Sequence, residues 1–196
     1  MKEAAQEGTR QSAFTIVLSA TTKVKVRPAT RNDIPGIAEV WRTSVSAEEV
    51  VGFGTPVTES IFRDAKTLSS AWGEANRVGS SEVFVSELDG SVTGFVTIED
   101  RKEELELIDI EVMGALQGRG IGTQIVHFVE ERARILNKRA VTLGTSKSAE
   151  GVPWRSLPWW MALGYHVTHE EENAWTRSIG PGVKEIRLRK DLPTRS

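Results

Sequence analysis

Residues 114–122 read Gly114-Ala115-Leu116-Gln117-Gly118-Arg119-Gly120-Ile121-Gly122. The glycines alternate with other residues, and apolar residues at helical spacing follow them, so the stretch predicts a turn that opens a helix over residues 123–137. The first amides of a helix have no partner within it, and the helix dipole places positive charge there. Since glycine lets an anion approach the backbone closely, the turn predicts a phosphate or pyrophosphate site.

Two better-known anion motifs do not fit this turn. The dinucleotide fingerprint requires a third glycine where this chain has Thr123, and the P-loop requires a Gly-Lys-Ser/Thr ending that is absent from the sequence. The alternative to an anion site is a turn that merely packs a helix on a sheet. Glycine loses more backbone entropy on folding than other residues, which favours a functional reason for the alternation.

The other elements follow from apolar spacing and from turn residues. Strands are predicted at residues 24–27, 82–88, 91–98, 105–113, 141–143, 165–170 and 184–189. Helices are predicted at residues 31–45, 58–75, 123–137 and 155–163. The Asp89-Gly90 pair between two alternating runs is a strong hairpin signal. Together these elements predict a mixed sheet with helices on its faces, in the α/β (α+β) class.

Composition limits the function. The chain has 196 residues and no cysteine, which excludes disulfide scaffolds, cysteine nucleophiles and thiolate zinc sites. Its net charge of −2 disfavours a general nucleic-acid binder, and only three histidines disfavour a metal centre. No apolar run approaches the length of a membrane helix, so we expect no membrane partner and a cytoplasmic protein.

The domain organisation is expected to be simple, because a chain of this length suits one domain. Residues 1–22 are interpreted as a leader that is either unstructured or adds one strand. Residues 23–192 are predicted to form the functional domain, and residues 193–196 a short tail.

The turn also fits the pattern Gln/Arg-x-x-Gly-x-Gly/Ala from Gln117 to Gly122, which resembles the acetyl-CoA motif of the GCN5-related N-acetyltransferase (GNAT) superfamily. Residues 24–33 resemble the first strand and helix of that family, and residues 162–165 (Ala-Leu-Gly-Tyr) resemble its last signature. The similarity runs from about Lys23 to Leu192. It implies the acyl-CoA N-acyltransferase fold, with a mainly antiparallel central sheet of about six to seven strands and helices on both faces.

The resemblance also implies a cofactor site for acetyl-CoA as co-substrate, with no metal. The backbone groups of Ile110, Val112 and Met113 would pair with the pantetheine arm. The pyrophosphate would lie on the turn, with Arg119 adding charge and Trp160 either packing in the core or flanking the arm. The turn residues concerned are Gln117, Gly118, Arg119, Gly120, Ile121, Gly122 and Thr123.

Acetylation of an amine needs a base, because an ammonium at neutral pH must first lose a proton. Glu106, eleven residues before Gln117, matches in offset a catalytic glutamate of the histone-acetylating branch, so Glu106 is the predicted catalytic residue. Glu104, Asp109 and Glu111 are the other acids of the strand. Strand alternation places Glu106 opposite in facing to Asp109 and Glu111 unless a bulge intervenes.

The departing thiolate lacks the usual proton donor. Trp160 stands where many relatives have a tyrosine, and Pro153 stands where they have an asparagine. An indole N–H is not an acid of useful pKa. Water, Tyr165 or Ser156 would then supply the proton, or the thiolate leaves unassisted.

The acceptor site is expected in the loop 46–57 and in the second helix. Glu48 and Glu49 would favour a cationic amine there, and Phe53 and Trp72 offer aromatic surface. The resemblance thus implies transfer of acetyl to a primary amine by direct attack in a ternary complex. The acceptor would be a small molecule or a peptide, and the free sheet edges favour a homodimer.

Three other functions are left open by the sequence. A non-catalytic CoA-binding regulatory module would explain the departures at Trp160 and Pro153. A transferase for a longer acyl chain would differ only in pocket size, and bulky Trp159 and Trp160 favour a short acyl group. A plain interaction domain would require the glycine motif to be a coincidence.

Overall fold

The computed structural model describes residues 22–44 and 81–193 of the chain. The strands in these ranges are β1 (Lys25–Pro28), β2 (Ser81–Leu88), β3 (Ser91–Arg101), β4 (Glu104–Val112), β5 (Ala140–Lys147), β6 (His166–Glu171) and β7 (Lys184–Asp191). The α-helices are α1 (Ile34–Ser44), α2 (Ile121–Ile135), α3 (Leu157–Ala162) and α4 (Ala174–Ile179). Single 3₁₀ turns at Arg31–Asp33 and Gly114–Leu116 precede α1 and α2.

The described strands form one seven-stranded sheet in the order β1-β2-β3-β4-β5-β7-β6. Every neighbouring pair is antiparallel except β4 and β5, which run parallel. A parallel neighbour needs a crossover, and α2 supplies it between β4 and β5. The predicted mixed, mainly antiparallel sheet is therefore confirmed.

Helices cover both faces of the sheet, as predicted. The larger apolar core lies between α2 and one face and includes Leu105, Leu107 and Ile125. A smaller core on the α1 side includes Val40 and Phe95. None of the described helices is long and apolar enough to cross a membrane.

The element boundaries differ from the sequence prediction in a few places. The Asp89-Gly90 turn is confirmed, and both residues have positive φ, at 50° and 80°. Helix α2 starts two residues earlier than predicted, and β5 extends to Lys147. The short helix α4 was predicted as loop. The predicted leader at residues 1–22 and helix at 58–75 lie outside the described residues, apart from Thr22.

Candidate functional site

Strands β4 and β5 form a fork. They pair only from Glu104 with Ala140 to Leu107 with Leu143. Beyond that point β5 continues along β7, while β4 continues along β3. The β4 segment Ile108–Val112 therefore has one edge without a neighbouring strand in the described part of the chain. The fork opens toward the turn that leads into α2.

Backbone direction decides which groups face this open edge. The N–H of Met113 donates to the carbonyl of Thr93 on β3 at 2.9 Å. Because successive residues of a strand point their backbone groups to opposite edges, the amides of Val112 and Ile110 point away from β3, into the fork. Met113 departs from the expectation, since its amide is used by Thr93 and its carbonyl accepts from the Leu116 amide at 2.8 Å.

The glycine turn supplies further donors. Helix α2 begins at Ile121, and its N-cap Gly120 has φ of 78°, in the left-handed region, without a side-chain cap. Gly118 has φ of 75°, and a Cβ atom there would meet nothing within 4 Å. Within residues 22–44 and 81–193, none of the amides from Gly118 to Thr123 donates a hydrogen bond to the protein. The turn thus presents unused donors at the positive end of the α2 dipole.

Gln117 holds the turn in place. Its side-chain N–H groups donate to the carbonyls of Ser44 at 2.7 Å and Val112 at 3.1 Å. Its carbonyl oxygen accepts from the Arg155 guanidinium at 3.1 Å. The side chain predicted to contact a cofactor is therefore committed to α1, β4 and the segment before α3. Arg119 is exposed, as is Gln117.

The two tryptophans of α3 occupy different environments. Trp160 is only 3% exposed and packs edge-on against Tyr165 in the larger core, with ring centroids 5.2 Å apart. Of the two roles predicted for Trp160, core packing or flanking the pantetheine arm, this burial favours core packing. Trp159 is half-buried, and its indole lies 3.3 Å from where a Cβ on Gly122 would be. The indole beside the turn belongs to Trp159, which was not among the residues predicted to bind the cofactor.

A bulge in β4 changes which acids share a face. Thr97 pairs with Asp109 and Ile98 pairs with Leu107, so Ile108 is one extra residue. On β3, Phe95, Thr97 and Glu99 alternate onto one face. Their partners on β4 are Glu111, Asp109 and Glu106, in that order. All three acids therefore lie on the α1 side of the sheet, because the bulge that the sequence analysis allowed for is present.

Two arginines neutralise Glu106. Its carboxylate accepts from Arg187 on β7 at 2.6 Å and from Arg101 on β3 at 2.8 Å. Burial acts to raise the pKa of Glu106, but these hydrogen bonds and charges outweigh it, and the net shift is downward. A carboxylate with a lowered pKa is a weaker base. The structure therefore argues against the role predicted for Glu106.

Asp109 has the opposite environment. Its carboxylate is half-buried and makes no hydrogen bond or ion pair with the described residues. Burial raises the pKa of Asp109 from 3.8 to about 6. It lies two residues beyond Leu107, the last residue of β4 that pairs with β5. The apolar pair Leu107–Ile108, which breaks the alternation of the strand, was the available sequence signal for this placement.

Tyr165 and Ser156, the two side chains predicted as possible proton donors for the thiolate, lie in different environments. Tyr165 is 2% exposed, and burial, together with the nearby Glu130 carboxylate, raises the pKa of its hydroxyl. Ser156 precedes α3, and its hydroxyl lies 3.3 Å from that of Thr145 on β5. Tyr165 is thus a core residue, while Ser156 remains next to the strand that forms one arm of the fork.

Other predicted features are not brought to the site. The acceptor-site residues Glu48, Glu49, Phe53 and Trp72 lie outside the described residues. Within the described ranges, no group of three acidic, histidine or cysteine side chains is placed to hold a metal ion.

Comparison with known proteins gives two findings. A sequence profile described as "Acetyltransferase (GNAT) family" matches residues 46–152. No curated protein sequence matches the chain.

Solved structures resemble the whole fold. The PaiA N-acetyltransferase from Thermoplasma acidophilum in complex with coenzyme A has a TM-score of 0.65, 14% identity, and coverage of 87% of this chain and 100% of its own. The ribosomal-protein-S18-alanine N-acetyltransferase from Escherichia coli has a TM-score of 0.63 and 13% identity, covering 89% and 97%. The IAA acetyltransferase from Bacillus cereus has a TM-score of 0.57 and 20% identity, covering 87% and 100%. At identities of 13–20%, these similarities show a shared fold and nothing further.

Proposed function

The chain belongs to the acetyltransferase (GNAT) family, and from this premise we propose that it transfers an acetyl group from acetyl-CoA to a primary amine. The acceptor is a small molecule or a peptide, and its nitrogen attacks the thioester directly in a ternary complex. The observation that carries the proposal is the fork between β4 and β5, which opens beside a turn of unused backbone donors.

The turn suits the pyrophosphate of a CoA molecule, and the fork suits its pantetheine arm. A pyrophosphate is a bulky anion, and the amides from Gly118 to Thr123 offer it hydrogen bonds at the positive end of α2. The pantetheine arm contains amide groups, and the Ile110 and Val112 backbone can pair with it as a strand pairs with an added strand. The Trp159 indole, next to Gly122, offers an apolar wall to the same region.

The acceptor would approach from the α1 side of the sheet. Asp109 lies on this face with no ion-pair partner among the described residues, and its negative charge attracts a cationic amine. In the proposed function, residues 23–192 form the transferase domain. Ser156, near the β5 arm of the fork, is the side chain we assign to protonate the thiolate, with water as the alternative source.

A thermal-shift titration tests the proposal. A ligand that binds only the folded state stabilises it by about 2.7 kcal/mol at one hundred times its dissociation constant. We expect acetyl-CoA and CoA, but not NAD, to raise the melting temperature of the wild type. Gly120→Glu should abolish that rise, because it places a side chain and a negative charge at a position with φ of 78°.

Gly90→Glu is the matched control. Gly90 also has positive φ, at 80°, and open space around it, but it lies in the β2–β3 hairpin. This variant should keep the full acetyl-CoA response. No stabilisation of the wild type at millimolar acetyl-CoA would contradict the proposed function. Stabilisation without turnover of any amine would instead favour the non-catalytic CoA-binding module.

A further inference from the structure

Three carboxylates share the α1 side of β4, but they are not equivalent. Glu106 lies before the bulge, where β5 still pairs with β4, and two guanidinium groups hold it. Asp109 and Glu111 lie after the bulge, where the edge of β4 is open. Glu111, two residues further along the strand, has interactions of its own. Asp109 is therefore the acid next to the closed end of the fork.

The position of Asp109 along the strand matters for the chemistry. The open edge runs from Ile108 to Val112, about 17 Å at 3.3 Å per residue. A thioester arm that starts at the glycine turn and follows this edge ends where the fork closes, beside Leu107. Asp109 lies at that end, on the face from which the acceptor would approach.

We propose that Asp109, not Glu106, is the catalytic base that takes the proton from the acceptor ammonium. The inference rests on the proposed function and names the residue that performs its proton transfer. Thr97 faces Asp109 from β3, and Glu99, Glu106 and Glu111 are the next charged groups along that face. Arg101 binds Glu99 and Glu106 at 2.8 Å each, so its positive charge is divided between those two carboxylates.

The acceptor ammonium gives one proton to the Asp109 carboxylate, and the neutral nitrogen forms a bond to the acetyl carbonyl carbon. The carbon–sulfur bond breaks with its electron pair on sulfur, and the second proton of the nitrogen ends on the thiolate. Asp109 then returns its proton to water, so the products are the N-acetyl amine, the CoA thiol and one proton.

The acid–base properties of Asp109 fit this role. General bases work best when their pKa lies near the operating pH. Burial raises the pKa of Asp109 to about 6, whereas the arginines hold the pKa of Glu106 below its usual value. Asp109 is thus ionised at neutral pH and still a stronger proton acceptor than an ordinary carboxylate.

The experiment compares Asp109→Asn with Glu106→Gln, which removes the same charge from the same face. Each protein is first titrated with acetyl-CoA by thermal shift. Acetyl transfer is then followed by CoA release with spermidine, lysine amide and an alanine-initiated peptide, between pH 6 and 9.5. In parallel, the Asp109 carboxyl carbon of the free protein is titrated by NMR, with Asp109→Asn providing the assignment.

We expect Asp109→Asn to keep the acetyl-CoA response and to lose roughly 10²- to 10³-fold in kcat/KM for the amine at pH 7. That loss should shrink toward pH 9.5, where solvent deprotonates the amine, whereas a merely structural defect would be independent of pH. Glu106→Gln should lose less than about tenfold, and the Asp109 carboxyl should titrate near pH 6.

Three results would overturn the assignment: an Asp109→Asn variant within threefold of wild type, a larger loss in Glu106→Gln, or an Asp109 carboxyl that titrates near its ordinary value of 3.8. If none of the three amines is acetylated, an Asp109 carboxyl that titrates near 3.8 still overturns the assignment. A wild type that acetyl-CoA does not stabilise would instead contradict the proposed function, so the two failures are distinguishable.

Discussion

The half of β4 before its bulge and the half after it carry acids on the same face of the sheet, yet the two halves hold them in different states. Before Ile108, β4 lies between two strands, and the glutamates form ion pairs with arginines of β7. After Ile108, one edge of β4 is open, and Asp109 has no such partner among the described residues. One inserted residue therefore divides the strand into a segment whose glutamates form ion pairs and a segment in which Asp109 has no ion-pair partner among the described residues.

The largest expected effect concerns the core beneath the paired half. Leu105 is 1% exposed and belongs to the larger apolar core, whereas Ile108 is 42% exposed. We expect Leu105→Ala to lower the free energy of unfolding by about 2–5 kcal/mol, through lost burial and a residual cavity. Ile108→Ala should cost less than about 1 kcal/mol. Urea denaturation of both variants measures the difference, and equal losses would remove this contrast between the halves.

A smaller loss is expected for Glu106→Gln, which breaks both ion pairs of a carboxylate whose side chain is 13% exposed. We expect a cost of about 1–3 kcal/mol at pH 7, because Arg187 loses one of its two carboxylate partners and keeps only Glu185. The wild-type contribution should be present above the ordinary glutamate pKa and disappear as the pH falls through the lowered one.

Glu103→Gln is the control for that variant. Glu103 pairs with Arg139 at 2.7 Å, but its side chain is 62% exposed. Exposed pairs contribute little, so this change should cost less than about 0.5 kcal/mol in the same denaturation experiment. A Glu106→Gln variant as stable as Glu103→Gln would show that the arginines of Glu106 do not contribute to stability.

For Asp109, the pH dependence of the free energy of unfolding has the opposite sign to that for Glu106. The pKa of Asp109 is higher in the folded chain than the ordinary value of 3.8, so its favourable contribution is full below that value and is lost as the pH rises through about 6. Asp109→Asn should therefore raise the free energy of unfolding at pH 7 by about 1–2 kcal/mol, less than the roughly 3 kcal/mol of the full shift, because water still reaches the carboxylate.

Measuring that variant at two pH values gives an internal control. The gain in unfolding free energy from Asp109→Asn should be present at pH 7 and absent at pH 3.5. A stability gain that is the same at both pH values would be a packing effect and would not report the titration of Asp109.

The smallest effect is expected for Tyr165→Phe. The hydroxyl of Tyr165 lies in the core on the α2 side of the sheet, away from the face that carries Asp109. Acetyl transfer should therefore stay within about twofold of wild type, and the free energy of unfolding should change by less than about 1 kcal/mol. A tenfold loss of kcat without a loss of stability would contradict this prediction and would indicate that Tyr165 donates a proton in the reaction.

The sequence was sufficient for the elements that local patterns encode. The Asp89-Gly90 hairpin and the glycine turn before α2 were predicted because each has a short, specific signature. Helix α4 was missed because it has only six residues and begins in a polar segment. Its Asn173 cap, which accepts from the Thr176 amide at 3.0 Å, was a visible but weak signal.

The candidate site was predicted less completely, since its decisive contacts are long-range. Arg187 binds Glu106 from 81 positions further along the chain, and no sequence pattern around Glu106 predicts this ion pair. The offset from Gln117 located the strand correctly, but it could not distinguish a neutralised acid from an isolated one. The sequence also left two roles open for Trp160, because a count from Gly164 does not show which indole faces the core.

The extra residue at Ile108 also constrains how this gene can change. Removing that residue would leave Ile110 and Val112 beneath α2 and Asp109 and Glu111 on the α1 side, because Leu107 and Asp109 would then follow one another opposite Ile98 and Thr97. Point mutations in β4 alter one contact at a time, but a one-codon deletion there would remove the bulge and the local bend that a bulge gives to its strand. We therefore expect β4 to tolerate drift in composition far better than any change in length.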